Sequence, residues 1–130
     1  MMVVDASAAL ELLLGTQRGT AWRGALSRRP ERLCAPHLLD VEVLHVLRRY
    51  ERAGEVSSAR ALAALDDLRE MPLDRYPHAP LLSRMWDLRK NVTGYDAAYL
   101  ALAEVLEIPL VTADARLASS PGHRARVEVL

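Results

Sequence analysis

The side chains best suited to chemistry in this sequence are four acids in special local settings. Asp5 follows the apolar run Met-Val-Val, Asp114 follows Leu-Val-Thr-Ala, and Asp96 stands at the start of an alanine-rich segment with helical spacing. Glu42 lies inside another helical segment, directly between two valines. A carboxylate on an apolar face needs a partner. The four acids are therefore candidates for one shared site.

Each acid also has an ordinary structural explanation. Asp5 and Asp114 are suited to cap the helices that follow them, and Asp96 closes a Thr-x-x-Asp pattern that resembles a capping box. Glu42 is suited to an ion pair with Arg49 or to a solvated helix edge. These explanations stay open for each acid taken singly.

Strand and helix patterns alternate along most of the chain. Short apolar runs predict strands, and apolar positions three and four residues apart predict helices. The predicted strands span residues 2–4, 32–35, 73–76, 110–112 and 127–130, and the predicted helices span residues 6–14, 16–26, 37–53, 58–70, 81–90, 93–106 and 114–118. We therefore expect an α/β fold with a central parallel sheet of four to five strands and helices on both faces, in a single domain over residues 1–130.

A parallel sheet would bring two of these acids to one edge. Asp5 and Asp114 follow predicted strands, and ligands of open α/β sheets bind outside the carboxyl ends of the strands. Carboxylates held close together repel one another, so a divalent cation would stabilise the group. Because the histidines are scattered singly, the ligands are all oxygen, which favours Mg²⁺, with Mn²⁺ as a substitute, over Zn²⁺.

Composition limits the remaining possibilities. The net charge of zero argues against strong nonspecific binding to nucleic acid, although it leaves room for a local basic groove. Cys34 is the only cysteine and lies in an apolar stretch, so we interpret it as a buried hydrophobe. No apolar run is long enough to span a membrane, and the N-terminus lacks the pattern of a signal peptide. We expect a cytoplasmic protein with no membrane partner.

Four segments together resemble the PIN-domain family, and within it the VapC toxins of bacterial toxin–antitoxin pairs. They are Val-Val-Asp-Ala-Ser-Ala (3–8), Leu-Leu-Asp-Val-Glu-Val-Leu-His-Val-Leu-Arg-Arg (38–49), Tyr-Asp-Ala-Ala-Tyr-Leu-Ala-Leu-Ala (95–103) and Leu-Val-Thr-Ala-Asp-Ala-Arg-Leu-Ala (110–118). The resemblance covers the whole chain. It implies a three-layer PIN-like domain and metal-dependent endonucleolytic cleavage of RNA that inhibits translation and growth.

The resemblance also assigns roles to individual residues. Asp5, Glu42, Asp96 and Asp114 match the family's acidic quartet, and Ser7 matches its associated hydroxyl. We expect Asp5, Asp96 and Asp114 to hold the metal and Glu42 to orient or deprotonate the attacking water. Ser7 would hold a carboxylate or water, with helix capping as the alternative. Thr112 matches a hydroxyl often present beside the last acid.

Substrate and partners are predicted less directly. Arg89, Lys90 and Arg116 flank the acidic loops and are candidates for RNA contacts. Arg pairs such as residues 48–49 are typical of solvated faces, so we assign no RNA contact to them. By resemblance we also expect a homodimer and a tight complex with a cognate VapB-like antitoxin protein.

Two other classes compete with this interpretation. A phospho-receiver module is also an α/β domain with an acidic Mg²⁺ pocket, but it resembles a pattern with paired acids after the first strand, whereas Ala6 follows Asp5. Lys90 also precedes a helix rather than following a fifth strand. A noncatalytic PIN-like scaffold that only binds RNA or protein is the second alternative, and the intact quartet weighs against it.

Overall fold

The computed structural model describes residues 1–130, and strands alternate with helices along this length. The strands are β1 (Met2–Val4), β2 (Leu33–Pro36), β3 (Leu73–Tyr76), β4 (Leu110–Thr112) and β5 (Val127–Val129). The helices are α1 (Ala6–Leu14), α2 (Gln17–Arg28), α3 (Leu38–Arg52), α4 (Ser58–Glu70), α5 (Leu82–Asp87), α6 (Gly94–Leu106) and α7 (Ala115–Ser119), with a 3₁₀ turn at Ala79–Leu81. The predicted α/β class is confirmed.

The five strands form one parallel sheet in the order β3-β2-β1-β4-β5. The chain builds outward from β1 through β2 to β3 and then returns to the other side of β1 with β4. This reversal makes the carboxyl ends of β1 and β4 a topological switch point, where open α/β sheets bind their ligands. Asp5 directly follows β1, and Asp114 lies two residues beyond β4.

Helix α6 packs against the middle of the sheet and contacts β1, β2 and β4. Its residues Ala97 to Ala103 are all buried. The small alanine side chains let this helix approach the sheet closely, which places Asp96, in the first turn of α6, near the switch point. Helix α3 buries Leu39, Val43 and Leu47, and Glu42 flanks that buried stripe.

Several boundaries differ by one or two residues from the sequence prediction, and two of the differences have a clear physical meaning. Pro36, which suits a first helical turn, instead ends β2. The pairing of β2 with β1 extends only to Cys34, so this strand end does not require the N–H that proline lacks. The predicted helix 81–90 begins as a 3₁₀ turn and its α-helical part ends at Asp87. No helix has both the length and the apolar character needed to cross a membrane.

Candidate active site

Asp5 is the most constrained acid of the switch point. It is 6% exposed, and its Oδ1 accepts hydrogen bonds from the Ala8 amide at 2.9 Å and from the Ser7 hydroxyl at 2.7 Å. Its Oδ2 accepts a 2.5 Å hydrogen bond from Thr112. Burial raises the pKa of Asp5, these hydrogen bonds oppose the rise, and the charge of Asp114 adds to it. Asp5 is thus both the N-cap of α1 and a buried acid at the carboxyl end of β1.

Two hydroxyls tie the end of β1 to the end of β4. Ser7 Oγ accepts a 2.8 Å hydrogen bond from the Ala113 amide and lies 3.2 Å from Thr112 Oγ1. Thr112 Oγ1 also accepts a 3.0 Å hydrogen bond from the Asp114 amide, and Thr112 is fully buried. This network fixes the loop that carries Asp114 relative to Asp5. Ser7 holds a carboxylate, as one of its two predicted roles requires.

Glu42 is held by a residue from a different helix. Its Oε1 accepts a 2.6 Å hydrogen bond from the hydroxyl of Tyr99, a residue of α6 that is only 1% exposed. Burial raises the pKa of Glu42, the hydrogen bond from Tyr99 opposes the rise, and the charges of Asp96 and Asp5 add to it. Neither an ion pair with Arg49 nor full solvation describes this carboxylate.

Asp96 and Asp114 differ in charge environment. Burial raises the pKa of Asp96, and repulsion from Asp5 and Asp114 raises it further. Asp114 caps α7 and lies against Arg116, whose guanidinium contacts both carboxylate oxygens at 3.2 Å and lowers the Asp114 pKa. The surroundings therefore disfavour the ionised form of Asp96, whereas Arg116 favours the ionised form of Asp114.

All four acids line one cavity of about 530 Å³, together with Ser7. Within it no three carboxylates are grouped closely enough to form a ready ligand set. The carboxylates are instead engaged by protein donors, that of Asp5 by Ser7 and Thr112 and that of Asp114 by Arg116. The donor set is nonetheless all oxygen, and the pKa values of Asp5, Glu42 and Asp96 are raised, first by burial and then by neighbouring carboxylates. A hard divalent cation would neutralise these poorly solvated charges and their mutual repulsion. The residues fit such an ion chemically.

The predicted substrate residues surround an adjoining cavity of about 490 Å³. Arg89, Lys90 and Arg116 line it, and it shares Asp96 and Asp114 with the acidic cavity. Arg116 is 93% exposed on its side chain, while Arg89 packs its guanidinium 4.4 Å from the centre of the Trp86 ring. Basic side chains thus lie on one side of the acids.

Tyr99, Arg49 and Tyr50 line the acidic cavity but were not predicted as site residues. Tyr99 resembled an ordinary core residue of an alanine-rich helix, and no local signal linked it to Glu42, 57 positions away. Arg49 was predicted to lie on a solvated face or to pair with Glu42, and Tyr50 was assigned no function, yet both line the cavity. Their spacing of seven and eight residues from Glu42 was the available signal, since such residues share a helix face.

Comparison with known proteins agrees with this architecture. The model of the PIN domain family matches residues 2–121. Ribonuclease VapC1 of Mycobacterium tuberculosis is 45% identical over 98% of this chain and 96% of its own length. Ribonuclease VapC12 of the same organism is 41% identical over 100% of this chain and 99% of its own.

Solved structures show the same fold. PAE2754 from Pyrobaculum aerophilum superposes with a TM-score of 0.75 at 26% identity, covering 98% of this chain and 83% of that one. VapC20 of Mycobacterium tuberculosis, a toxin that cleaves the sarcin–ricin loop, superposes with a TM-score of 0.68 at 18% identity, covering 92% of this chain and 94% of its own. The chain belongs to the PIN-domain family. Its relatives of high identity there are the VapC ribonucleases, which as a class depend on a metal ion.

Proposed function

We propose that this protein is the toxin of a toxin–antitoxin pair and acts as a Mg²⁺-dependent endoribonuclease, with its active site at Asp5, Glu42, Asp96 and Asp114. The observation that carries the proposal is that these acids, from four separate segments, line one cavity at the switch point of the sheet. The VapC ribonucleases at 41–45% identity over nearly the whole chain support the reaction class.

The chain's own residues divide the work. Asp5 and Asp96 are the primary candidates to hold the ion, with Asp114 bound to it directly or through water. When bound, Mg²⁺ supplies charge neutralisation at the scissile phosphate and lowers the pKa of a bound water. Glu42, oriented by Tyr99, is placed to accept the proton of the attacking water. Ser7 and Thr112 keep the Asp5 carboxylate fixed throughout.

The raised pKa of Glu42 suits it to this role, because a general base works best when its pKa approaches the working pH. On the side of Asp114, Arg116 is placed to contact an RNA phosphate, and Arg89 and Lys90 are candidates to extend that contact. A cognate VapB-like antitoxin and a homodimer are the partners we propose, on the strength of the VapC relatives.

The proposal is tested by incubating the purified wild type, Asp5→Asn and Asp67→Asn with total bacterial RNA, in Mg²⁺, in Mn²⁺ or in EDTA. Asp67 is an exposed acid of α4 that does not line the cavity, and it is the matched control. We expect discrete cuts from the wild type and Asp67→Asn with metal, and none from Asp5→Asn or with EDTA. Sequencing of the new ends identifies the target RNA.

A failure of the wild type to cut in any metal would favour the noncatalytic scaffold. Cuts that persist in Asp5→Asn would point to a contaminating nuclease or to a different active site.

A further inference from the structure

The acidic cavity continues beyond the acids along a groove between α1 and α3. On α3 the lining residues are Glu42, Val46, Arg49 and Tyr50, which share one face of the helix. On α1 the lining continues through Leu10 and Leu14. One end of the cavity is therefore acidic, and the other combines an apolar wall with basic side chains.

Arg49 is the cation of this groove whose side chain has no polar partner. Arg18 also lines the cavity, but it is paired with Glu11 at 2.8 Å. Arg49 makes no hydrogen bond and no ion pair through its side chain, and its guanidinium stands 5.7 Å from the centre of the Tyr50 ring. A guanidinium at that distance is oriented by the ring while all its N–H donors remain available.

The distance between Arg49 and the acids can be estimated from positions along α3. Seven residues separate Glu42 from Arg49, which corresponds to a rise of about 10 Å. Phosphates of a stacked strand advance by about 3.4 Å per nucleotide, so this distance spans no more than about three nucleotides. An RNA strand with its scissile bond at the acids must leave the cavity on both sides, and Arg116 already lies on the other side.

We propose that the α1–α3 groove is a nucleotide subsite of the active site, resting on the ribonuclease function proposed above. Arg49 binds a backbone phosphate one to three nucleotides from the cleaved bond. Tyr50 stacks on an unpaired base, with Leu10, Leu14 and Val46 as the apolar wall. RNA suits this surface better than an acidic peptide does, because a planar aromatic ring beside a guanidinium matches a base next to a phosphate.

The test measures RNA binding separately from cleavage. Arg49→Gln, Arg49→Lys, Tyr50→Leu and Arg48→Gln are each made in an Asp5→Asn background, and a fluorescein-labelled single-stranded RNA of mixed sequence is titrated with Mg²⁺ present. Arg48 is the matched control, since it is an exposed neighbour that does not line the cavity. Thermal melting of each variant verifies its fold.

We expect Arg49→Gln to weaken binding about tenfold, as loss of a charge-assisted phosphate contact does. The slope of log affinity against log salt should fall by about 0.7, while Arg48→Gln changes neither quantity. Arg49→Lys should retain the salt slope. Tyr50→Leu should weaken binding about tenfold without changing the salt slope, because a stacked base and not a charge is lost.

The outcomes separate this inference from the function on which it rests. If the wild type cleaves RNA and Asp5→Asn does not, but Arg49→Gln binds RNA as Arg48→Gln does, the subsite is overturned and the nuclease stands. If Arg49→Gln impairs only the capture of a protein partner, the groove is a protein-docking surface instead. If the wild type neither cleaves nor binds RNA, both proposals fail.

Discussion

The hydroxyl of Tyr99, on α6, donates a 2.6 Å hydrogen bond to Oε1 of Glu42, on α3. The two helices carry different parts of the acidic cavity, so this bond fixes one acid relative to the element that positions Asp96. Tyr99 is buried, and the low polarity around it, together with the nearby carboxylates, raises its own pKa. The phenol therefore stays protonated and remains a donor throughout the ordinary pH range.

Replacing Tyr99 by Phe removes this donor while keeping the ring. Because the hydrogen bond lowers the pKa of Glu42, its loss should raise that pKa further. If Glu42 acts as a base, the acidic limb of the pH–rate profile moves to higher pH, and kcat at neutral pH falls about tenfold with little change in KM. Tyr95→Phe is the matched control, since Tyr95 is 61% exposed. Identical pH–rate profiles for Tyr99→Phe and Tyr95→Phe would rule out a positioning role for Tyr99.

Asp96→Asn should stabilise the metal-free protein by a few degrees in Tm while abolishing cleavage. The folded-state pKa of Asp96 is raised by burial and by its acidic neighbours. A carboxyl with a raised pKa favours folding most below its unfolded-state pKa, and this benefit is lost as the pH rises through the folded-state value. The gain from Asn should therefore be present at neutral pH and vanish in acid.

Thermal melts from acidic to neutral pH measure the difference in Tm between the wild type and Asp96→Asn, with the exposed Asp67→Asn as control. A lower Tm for Asp96→Asn at neutral pH would mean that favourable interaction of the carboxylate with the start of α6 outweighs the repulsion.

Mg²⁺ should raise the Tm of the wild type, because an ion that binds only the folded state stabilises it. At a concentration of 100 times Kd the stabilisation is about 2.7 kcal/mol. EDTA should reverse the shift, and Mn²⁺ at equal concentration compares the two metals. Asp96→Asn should need a much higher metal concentration for the same shift. An equal response in that variant would place the bound ion elsewhere on the protein.

Thr112→Val tests the hydroxyl that joins the two central strands. The substitution preserves shape but leaves Asp5 Oδ2 without its donor and the Asp114 amide without its acceptor. We expect a loss of about 2 kcal/mol in the free energy of unfolding, which is typical when buried polar groups are left unpaired. Urea unfolding measures it, with the exposed Thr20→Val as control. A loss no greater than that of Thr20→Val would show that water replaces the hydroxyl.

Much of this molecule could be predicted from its sequence. The fold class and the family are confirmed, because apolar periodicity defines the strands and helices and the acids stand beside them in recognisable motifs. Two explanations first treated as rivals hold together, since Asp5 and Asp114 cap helices and also line the cavity. The catalytic roles of the acids stay predictions.

The remainder depends on contacts between distant segments. The partner of Glu42 could not be predicted from the sequence around Glu42, because Tyr99 lies on another helix. Its position among the apolar residues of α6 is that of an ordinary core residue. Arg48 and Arg49 are adjacent residues of the same type, so the local sequence does not distinguish them. Only the packing of α1 against α3 shows that Arg49 lines the groove and Arg48 does not.

The central pairing of β1 with β4 also sets the order in which the site can form during synthesis. Thr112 and Asp5 are 107 residues apart in the chain, although their side chains are hydrogen-bonded. Contacts of such separation form late, because the entropy of closing the intervening chain must first be overcome. A nascent chain therefore lacks the second hydroxyl support of Asp5, and the whole loop of Asp114, until β4 has left the ribosome. We expect a chain ending before residue 110 to have no assembled acidic cavity.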